Sequence, residues 1–455
     1  MRGTVSKLLT DHFRCPEDIS GPSAIAEPLT DGASVRVELD RAAWHEVLAT
    51  KFPDSLKEDV RQIQWRPFAA SQADNPADIA ENLRLERYAA KLFEVGQTPR
   101  AKGAIRNMYY TVRPLLPVAV RKQVQRLYLR GWDKRPFPTW PVDRTVEEIL
   151  EGQLVREMKS SGVTEVPFIW FWPDGTDSAV IMTHDVETKA GVEFCGQLMD
   201  LNDSFGIKSS FQIVPEGRYP VTPRFLEQIR ERAFEINVHD LNHDGHLFRE
   251  RAEFLRRAER IMHYKREFRA DGFRSAVLYR NVDWFDALNF SYDMSIPNVA
   301  HLDPQRGGCC TVFPYFIGSL VELPVTTTQD YSLFNIINEY STRLWRQQIS
   351  LIREKHGLIN IIVHPDYVID KTARSVYAEL LQHLADLREN ERAWIALPGE
   401  VASWWRMRSE MTLTNVHGAW RIEGPGSARA KVAYAMLVDD KLRYELAPAP
   451  SRAAA

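Results

Sequence analysis

The stretch AVIMTHDVE at residues 179–187 decides the fold prediction, because a short run typical of a buried strand leads directly into two acids. The apolar run ends at Thr183, and Asp185 and Glu187 follow two positions apart. Alternate side chains of an extended chain point to the same face. If the strand continues beyond Thr183, both carboxylates therefore lie together at its carboxyl end.

The chain around this stretch alternates between short apolar runs and longer amphipathic segments, which is typical of β/α units. We predict strands at residues 179–183, 210–214, 234–239, 273–277, 292–296, 320–325, 358–364 and 393–397. Helices are predicted at residues 222–233, 247–265, 342–356 and 375–390, where apolar residues recur at spacings of three and four. Seven or eight strands in this order predict an α/β fold and suit a barrel.

The pattern changes on both sides of the barrel. Residues 132–142, WDKRPFPTWPV, hold three prolines and two tryptophans, which favours an extended segment near a domain boundary. We therefore expect a mixed, mainly helical N-terminal region at residues 1–150, with a helix at residues 78–93, and the barrel at residues 151–408. Short alternating runs at residues 411–416, 419–423 and 431–438 predict a small C-terminal β appendage within residues 409–455. The aromatic stretch at residues 166–173 is interpreted as a strand or as a lid.

Composition excludes several classes of protein. The 455 residues are 44% hydrophobic and 26% charged, as in ordinary globular proteins, and long enough for a large core. The 58 basic and 61 acidic side chains leave a net charge of −3, so nothing favours nucleic-acid binding. The apolar runs are too short for a membrane span. The four cysteines show no paired spacing, and the first residues show no export signal, so we expect a cytoplasmic location.

Other strands of the predicted barrel also end in residues that bind metals or move protons. His239 and His243 follow one strand as H-x-x-x-H, and His364 ends another. The carboxyl ends of barrel strands converge on one mouth. Histidines and a carboxylate there predict a divalent-cation site, with zinc favoured and cobalt or nickel as alternatives. Such a cation generates a nucleophile from water at neutral pH, so hydrolysis is the expected reaction. Asp185 would take a proton from water, and His364 would protonate the leaving group.

Each of these motifs also has a structural interpretation without chemistry. Asp185 and Glu187 are suited to capping a helix that starts near residue 190, since acids are favoured at helix N-termini. An isolated H-x-x-x-H pair is common on protein surfaces, and His364 before a proline is compatible with a satisfied strand end. The catalytic interpretation gains weight because three separate strands end in suitable groups.

These residues, in this order, resemble the motifs of the polysaccharide deacetylase family, the NodB-like carbohydrate esterases. The matching stretches are THDVE at 183–187, HDLNH at 239–243, FRSAV at 273–277 and IIVH at 361–364, and the resemblance covers residues 179–405. It implies a distorted (β/α)7-type barrel that removes N- or O-acetyl groups from sugar polymers with one divalent metal.

The resemblance also assigns roles to individual residues. It implies Asp185 as the general base and His364 as the general acid. The metal ligands would be Glu187, His239 and His243. Supporting roles fall to Arg274, which would orient Asp185; Asp293, which would hold His364 protonated; Ile361, which would line the acetyl pocket; and the main-chain amide of Val277, which would stabilise the oxyanion.

The sequence departs from the family pattern in the first motif, where Val186 separates the two acids, so either Asp185 or Glu187 remains open as the acidic ligand. Ala276 and Val277 stand where proline and an aromatic are usual in the family. A cytoplasmic member is expected to act on a carbohydrate precursor, in exopolysaccharide or cell-envelope metabolism.

Three functions remain open at this stage: deacetylation of a sugar or polysaccharide, hydrolysis of another C–N bond in a small amide, and carbohydrate binding without turnover. Four loop aromatics are candidates for stacking surfaces, although aromatics at such positions more often belong to the core: Trp284, Tyr315, Tyr331 and Tyr367.

Overall fold

The structure is a computed structural model, and it describes residues 6–17, 75–89, 123, 127 and 129–448. The helices of these residues are α1 (Lys7–Phe13), α2 (Pro76–Arg84), α3 (Thr145–Ser161), α4 (Lys189–Ser204), α5 (Pro223–Glu231), α6 (Arg251–Glu267), α7 (Arg343–Arg353), α8 (Lys371–Asn390) and α9 (Pro398–Glu410). None of them combines the length and the apolar character that crossing a bilayer requires.

The strands of the described residues begin with β1 (Glu165–Ile169), β2 (Ser178–Val186), β3 (Ser210–Ile213), β4 (Glu235–His239), β5 (Gly272–Arg274), β6 (Tyr292–Asp293) and β7 (Tyr315–Ile317). They continue with β8 (Leu320–Glu322), β9 (Leu358–Ile362), β10 (Ala393–Ile395), β11 (Thr412–Val416), β12 (Ala419–Glu423), β13 (Val432–Val438) and β14 (Lys441–Leu446).

The central sheet follows the order predicted from the sequence. Strands β2, β3, β4, β5, β6 and β8 lie side by side and parallel, and β9 pairs with the other side of β2. Strand β10 extends the sheet at the first residues of β2, and β7 pairs antiparallel with β8 at the edge. The predicted β/α alternation is thus confirmed, with strands shorter than expected at β5, β6 and β8.

Side chains close the sheet where β8 and β9 share no backbone ladder. The Thr326 hydroxyl donates to the Leu358 carbonyl at 2.8 Å and accepts from the Asn360 amide at 2.9 Å. The Thr327 hydroxyl donates to the Asn360 carbonyl at 2.8 Å. These contacts link the segment after β8 to β9 at the two ends of a curled sheet, so the predicted distorted (β/α)7-type barrel is confirmed.

The barrel strands are largely buried, because helices cover them on the outside. Every residue of β2 and of β9 is buried, as expected for parallel strands enclosed on both faces. Amphipathic helices supply this cover. In α7, for example, Leu344, Trp345, Ile349 and Ile352 are buried. Helix α5 begins as predicted, with Pro223 in its first turn and the Thr222 hydroxyl accepting from the Phe225 amide.

The chain divides into two compact units. One contains Asn82–Thr145 and Thr176–Arg406, which include the barrel. The other contains Met1–Glu81, Val146–Gly175 and Met407–Ala455, of which only part is described. The predicted boundaries at residues 150 and 408 differ from this division. The reason is that β1 pairs antiparallel with β13, so its segment groups with the C-terminal strands.

The smaller unit contains the predicted β appendage. Strand β13 lies between β1 and β14, and β11 pairs with β12 as a hairpin. Residues 165–169 are therefore a strand rather than a lid, and β14 was not predicted. The predicted helix at residues 78–93 is present only in part, as α2, because the chain turns after Arg84 at Glu86, which has a φ of 53°. Residues 90–93 lie outside the described residues. All four cysteines are buried, and none of them forms a disulfide within the described residues.

Candidate active site

The carboxyl end of β2 supplies the acids of the site. Asp185 lies within the strand, and Glu187 follows its last residue. Both side chains reach His239, whose Nε2 lies 3.8 Å from Oδ2 of Asp185 and 3.7 Å from Oε1 of Glu187. Helix α4 takes its cap from Thr188, whose hydroxyl accepts from the Gly191 amide at 3.0 Å. The helix-capping interpretation of the two acids is therefore wrong.

The two histidines of the H-x-x-x-H motif lie on one site because β4 ends in a strained turn. His239 is the last residue of the strand, and Asp240 and His243 both adopt left-handed backbone conformations, with φ of 56° and 55°. Such conformations are uncommon outside glycine. The turn brings Nε2 of His243 to 2.9 Å from Oε1 of Glu187. The two imidazole centroids are 4.9 Å apart.

Glu187, His239 and His243 have the chemistry and spacing of a cation site. Their ligand atoms lie within 4.8 Å of one another. Nε2 of each histidine is buried, and neither has a hydrogen-bond partner among the described residues, although that of His243 is close to Glu187. Buried polar atoms rarely stay unsatisfied, so two aimed at one carboxylate fit a divalent cation.

The outer contacts of the two histidines differ. Nδ1 of His239 lies 3.1 Å from the Arg274 carbonyl, an arrangement that orients many metal-binding histidines. Nη2 of Arg218 donates to the His243 carbonyl at 2.6 Å and lies 3.0 Å from its Nδ1. Nδ1 of His243 therefore has an arginine as its neighbour, whereas a metal-binding histidine usually has a carbonyl or carboxylate there.

Arg274 forms a direct hydrogen bond with Asp185. Its Nη1 donates to Oδ1 of Asp185 at 2.6 Å and to the Thr183 hydroxyl at 2.8 Å, and all three side chains are buried. Burial opposes the charge on Asp185, but Arg274, His239 and His364 more than offset it, so its pKa is lowered. Asp185 is thus a charged carboxylate at neutral pH, as a general base must be.

His364 lies at the same cluster, with Nε2 3.4 Å from Oε1 of Glu187. Its partner is a residue that the sequence interpretation missed. Nδ1 lies 2.6 Å from Oδ1 of Asp330, whose Oδ2 accepts from the His364 amide at 2.8 Å. Burial opposes the charge on His364, but Asp330 and Glu187 prevail and raise its pKa well above the ordinary value.

Asp293, the predicted partner of His364, forms its hydrogen bonds with other residues. Its carboxylate accepts from the Ser295 amide at 2.8 Å and from the Ser295 hydroxyl at 2.9 Å. It lies beside Glu322 in the register of β6 and β8, and burial raises its pKa to about 6. The prediction is corrected to Asp330, which sits in the loop after β8 and has no motif that marks it in the sequence.

The predicted acetyl-pocket residue faces away from the site. Parallel register pairs Ile361 with Met182, on the helix-covered face of β2, and Ile362 with Thr183, on the face of Asp185. Ile362 forms a buried apolar cluster with Leu278 and Val325. The residue that faces the site is therefore Ile362, one position later than predicted.

Val277, predicted to supply an oxyanion amide, lies in the loop that follows β5. Its φ of 59° and ψ of 17° are left-handed, and Leu278 beside it has a φ of 53°. A β-branched residue in this region is strained by about 1–3 kcal/mol, and such strain concentrates at functional sites.

The four predicted stacking aromatics have different environments. Tyr331 and Tyr367 pack together with centroids 5.6 Å apart, and Tyr367 also lies 5.0 Å from the His364 ring. Trp284 packs against Phe254, and the hydroxyl of buried Tyr315 donates to a backbone carbonyl. Of the four, only Tyr331 and Tyr367 are shown beside the site.

Comparisons with known proteins add to this picture. A protein of Mycobacterium smegmatis classed among the polysaccharide deacetylases is 18% identical, with 55% of this chain and 97% of that chain covered and a TM-score of 0.44. The chain resembles the polysaccharide deacetylases. A peptidoglycan deacetylase of Bacillus subtilis is 10% identical over 52% of this chain and 95% of that chain, with a TM-score of 0.34.

An allantoinase is 12% identical over 52% of this chain and 92% of that chain, with a TM-score of 0.39. No family model matches the sequence, and no curated protein matches it.

Proposed function

We propose that this chain is a metal-dependent hydrolase that removes acetyl groups from an acetylated sugar or polysaccharide. The observation that carries the proposal is one cluster with three parts: Glu187 with two histidines whose buried Nε2 atoms point at its carboxylate, a charged carboxylate at Asp185, and a protonated imidazole at His364. Metal-dependent hydrolysis of an acyl group uses these three parts: a place for a cation, a base and an acid.

Glu187, His239 and His243 are the proposed ligands of the cation. Glu187 lies nearer to His243, and the Arg274 contact engages Asp185, so Glu187 is the better acidic ligand. Zinc is favoured by the histidine and carboxylate donors, with cobalt and nickel as alternatives. When bound, a divalent cation lowers the pKa of a water molecule and polarises the carbonyl under attack.

Asp185 is the proposed general base. Its carboxylate takes a proton from the attacking water, and Arg274 holds it in place through a charge-assisted hydrogen bond. The guanidinium also keeps the carboxylate charged before the reaction, because it favours the ionised form. The Thr183 hydroxyl shares the same Arg274 nitrogen, so the position of the base is set by two strands.

His364 is the proposed general acid. Nε2 faces the cluster while Nδ1 meets Asp330, so Nε2 is the atom that delivers a proton to the leaving nitrogen or oxygen. Asp330 keeps the imidazole charged until that transfer. The Val277 amide is proposed to donate to the oxyanion, and the cluster of Leu278, Val325 and Ile362 to receive the acetyl methyl.

A direct test loads the purified chain with zinc and measures acetate release from N-acetylated and O-acetylated sugar oligomers. We expect release to stop when a chelator removes the metal and to return when zinc, cobalt or nickel is added. Hydrolysis of small linear or cyclic amides, with no release from any sugar, would point instead to the second function. A chain that retains no divalent cation and hydrolyses neither class would contradict the proposal.

A further inference from the structure

The loop after β5, residues 275–280, carries the strained backbone of Val277 and Leu278 and is fixed at both of its ends. At the start, the Ser275 amide donates to the Ser295 hydroxyl at 2.8 Å. At the end, Arg280 and the Gln305 side chain exchange two hydrogen bonds of 3.0 Å. Between these anchors the Leu278 carbonyl accepts from Nη1 of Arg280 at 2.8 Å. The Arg280 guanidinium therefore braces the strained part of the loop from within.

The guanidinium is itself held by Glu86, nearly 200 residues earlier in the chain. Nε of Arg280 donates to Oε2 of Glu86 at 2.5 Å, and Nη2 donates to Oε1. The side chain of Arg280 is 0% exposed and that of Glu86 is 7% exposed. Burial opposes the charge on Arg280, but Glu86 more than compensates and raises its pKa. A buried bidentate pair of this kind fixes direction as well as position.

The chain bends sharply to bring Glu86 to this position. Glu86 has a left-handed φ of 53°, two residues after the end of α2. Its Oε1 accepts from the Gly308 amide at 2.6 Å. A Cβ at Gly307 would lie 2.5 Å from the same oxygen, and the φ of 122° there is reserved for glycine. The left-handed backbone of Glu86 and the absence of a side chain at Gly307 thus both allow the Glu86 carboxylate to reach Arg280.

From these contacts we infer that Glu86 is a positioning residue of the active site, acting through Arg280 on the loop at residues 275–280. The inference rests on the proposed function, in which the Val277 amide of this loop stabilises the oxyanion. It also assigns a role to the chain before the barrel, whose purpose the sequence did not reveal. Residues 82–89 complete the catalytic loop rather than serving only as a neighbouring structure.

The physical consequence of losing the carboxylate is specific. Without Glu86, a buried guanidinium has no counter-charge in that position, and it must move towards another acceptor or towards water. Because Nη1 holds the Leu278 carbonyl, this movement displaces the loop, including the amide of Val277. A displaced oxyanion donor slows the chemical step more than it weakens substrate binding.

The test compares Glu86→Gln with Tyr88→Phe. Tyr88 lies on the same segment and donates to the Gly308 carbonyl at 2.7 Å, so its loss removes a buried contact but leaves the Glu86 and Arg280 pair. We expect Glu86→Gln to lower kcat by about tenfold to a hundredfold, with KM and metal content as in the parent protein. Tyr88→Phe should keep kcat. Equal kcat in Glu86→Gln and the parent, or an equal fall in both variants, would overturn the inference.

Two further measurements keep the test decisive. If Glu86→Gln does not fold, the double variant Glu86→Gln/Arg280→Gln removes both charges and leaves no buried ion unpaired. It should fold and show the same loss of kcat, and full kcat in this variant would contradict the inference. If the parent protein hydrolyses no substrate, the proposed function fails while the positioning role is still testable. Amide hydrogen exchange of residues 275–280 should then be faster in Glu86→Gln than in Tyr88→Phe, and equal exchange would refute it.

Discussion

Replacing Asp330 by asparagine tests the electrostatic support of the general acid. Asp330 lies 2.6 Å from Nδ1 of His364, both side chains are almost fully buried, and this carboxylate is the largest influence that raises the His364 pKa. In Asp330→Asn the burial that lowers this pKa remains, while the charge that offsets it is gone. The His364 pKa must therefore fall.

The size of the fall follows from the geometry. Removing an opposite charge within about 4–6 Å changes a pKa by roughly 1–3 units, or about 1.4–4 kcal/mol. The acid form of His364 exists below its pKa and is lost above it. The alkaline limb of the profile of kcat/KM against pH should therefore move about 1–3 units towards lower pH, while the acidic limb stays in place.

The assay is acetate release by the zinc-loaded protein across the pH range, with Asp293→Asn as the matched control. Asp293 is also a buried carboxylate at the end of a barrel strand, but its hydrogen bonds are with Ser295 and Glu322. We expect its alkaline limb to match that of the parent protein. An unmoved limb in Asp330→Asn, or a shift in Asp293→Asn instead, would refute the assignment of Asp330.

Three other outcomes are expected. His239→Ala should lose the bound metal on elemental analysis. The control His263→Ala, which alters an exposed histidine of α6, should retain it. Metal in both variants would remove His239 from the ligand set. Asp185→Asn should keep the metal and lose about a hundredfold to ten-thousandfold in kcat, and Glu187→Gln should lose the metal; the reverse pattern would make Asp185 the acidic ligand. Arg274→Gln removes the cation that lowers the Asp185 pKa, and the base is active only above that pKa, so the acidic limb should move to higher pH; an unchanged limb would contradict the role of Arg274.

Much of the barrel could be predicted because its elements are encoded locally. Strand β2 contains the apolar run at residues 179–182, β9 is apolar except for Asn360, and α5 begins at a threonine cap followed by proline. The sequence is less informative for β5, β6 and β8, which have only two or three residues each, and the expected strand lengths there were too long. In such short strands, pairing with neighbours decides the backbone conformation more than local preference does.

The smaller unit was harder to predict for a related reason. Strand β1 pairs with β13, which in turn pairs with β14, more than 260 residues further along the chain. The residues of β1 do not indicate which strand it pairs with. The aromatic run could therefore be interpreted as a strand or as a lid until the pairing was seen. The sequence pattern suggested domain boundaries at residues 150 and 408. In the structure, the segment Val146–Gly175 instead groups with Met407–Ala455.

The sequence by itself determined which strand ends carry acids and histidines, because these residues follow recognisable apolar runs and the carboxyl ends of parallel strands converge. Only the tertiary structure decided which carboxylate meets His364, that Ile362 rather than Ile361 faces the site, and that Glu86 holds Arg280. Asp330 and Glu86 reach their partners through loops and a strained turn, whose paths depend on packing across the whole barrel. A side chain's face depends on strand register to a single residue, and hydrogen bonds between strands set that register rather than the residue types.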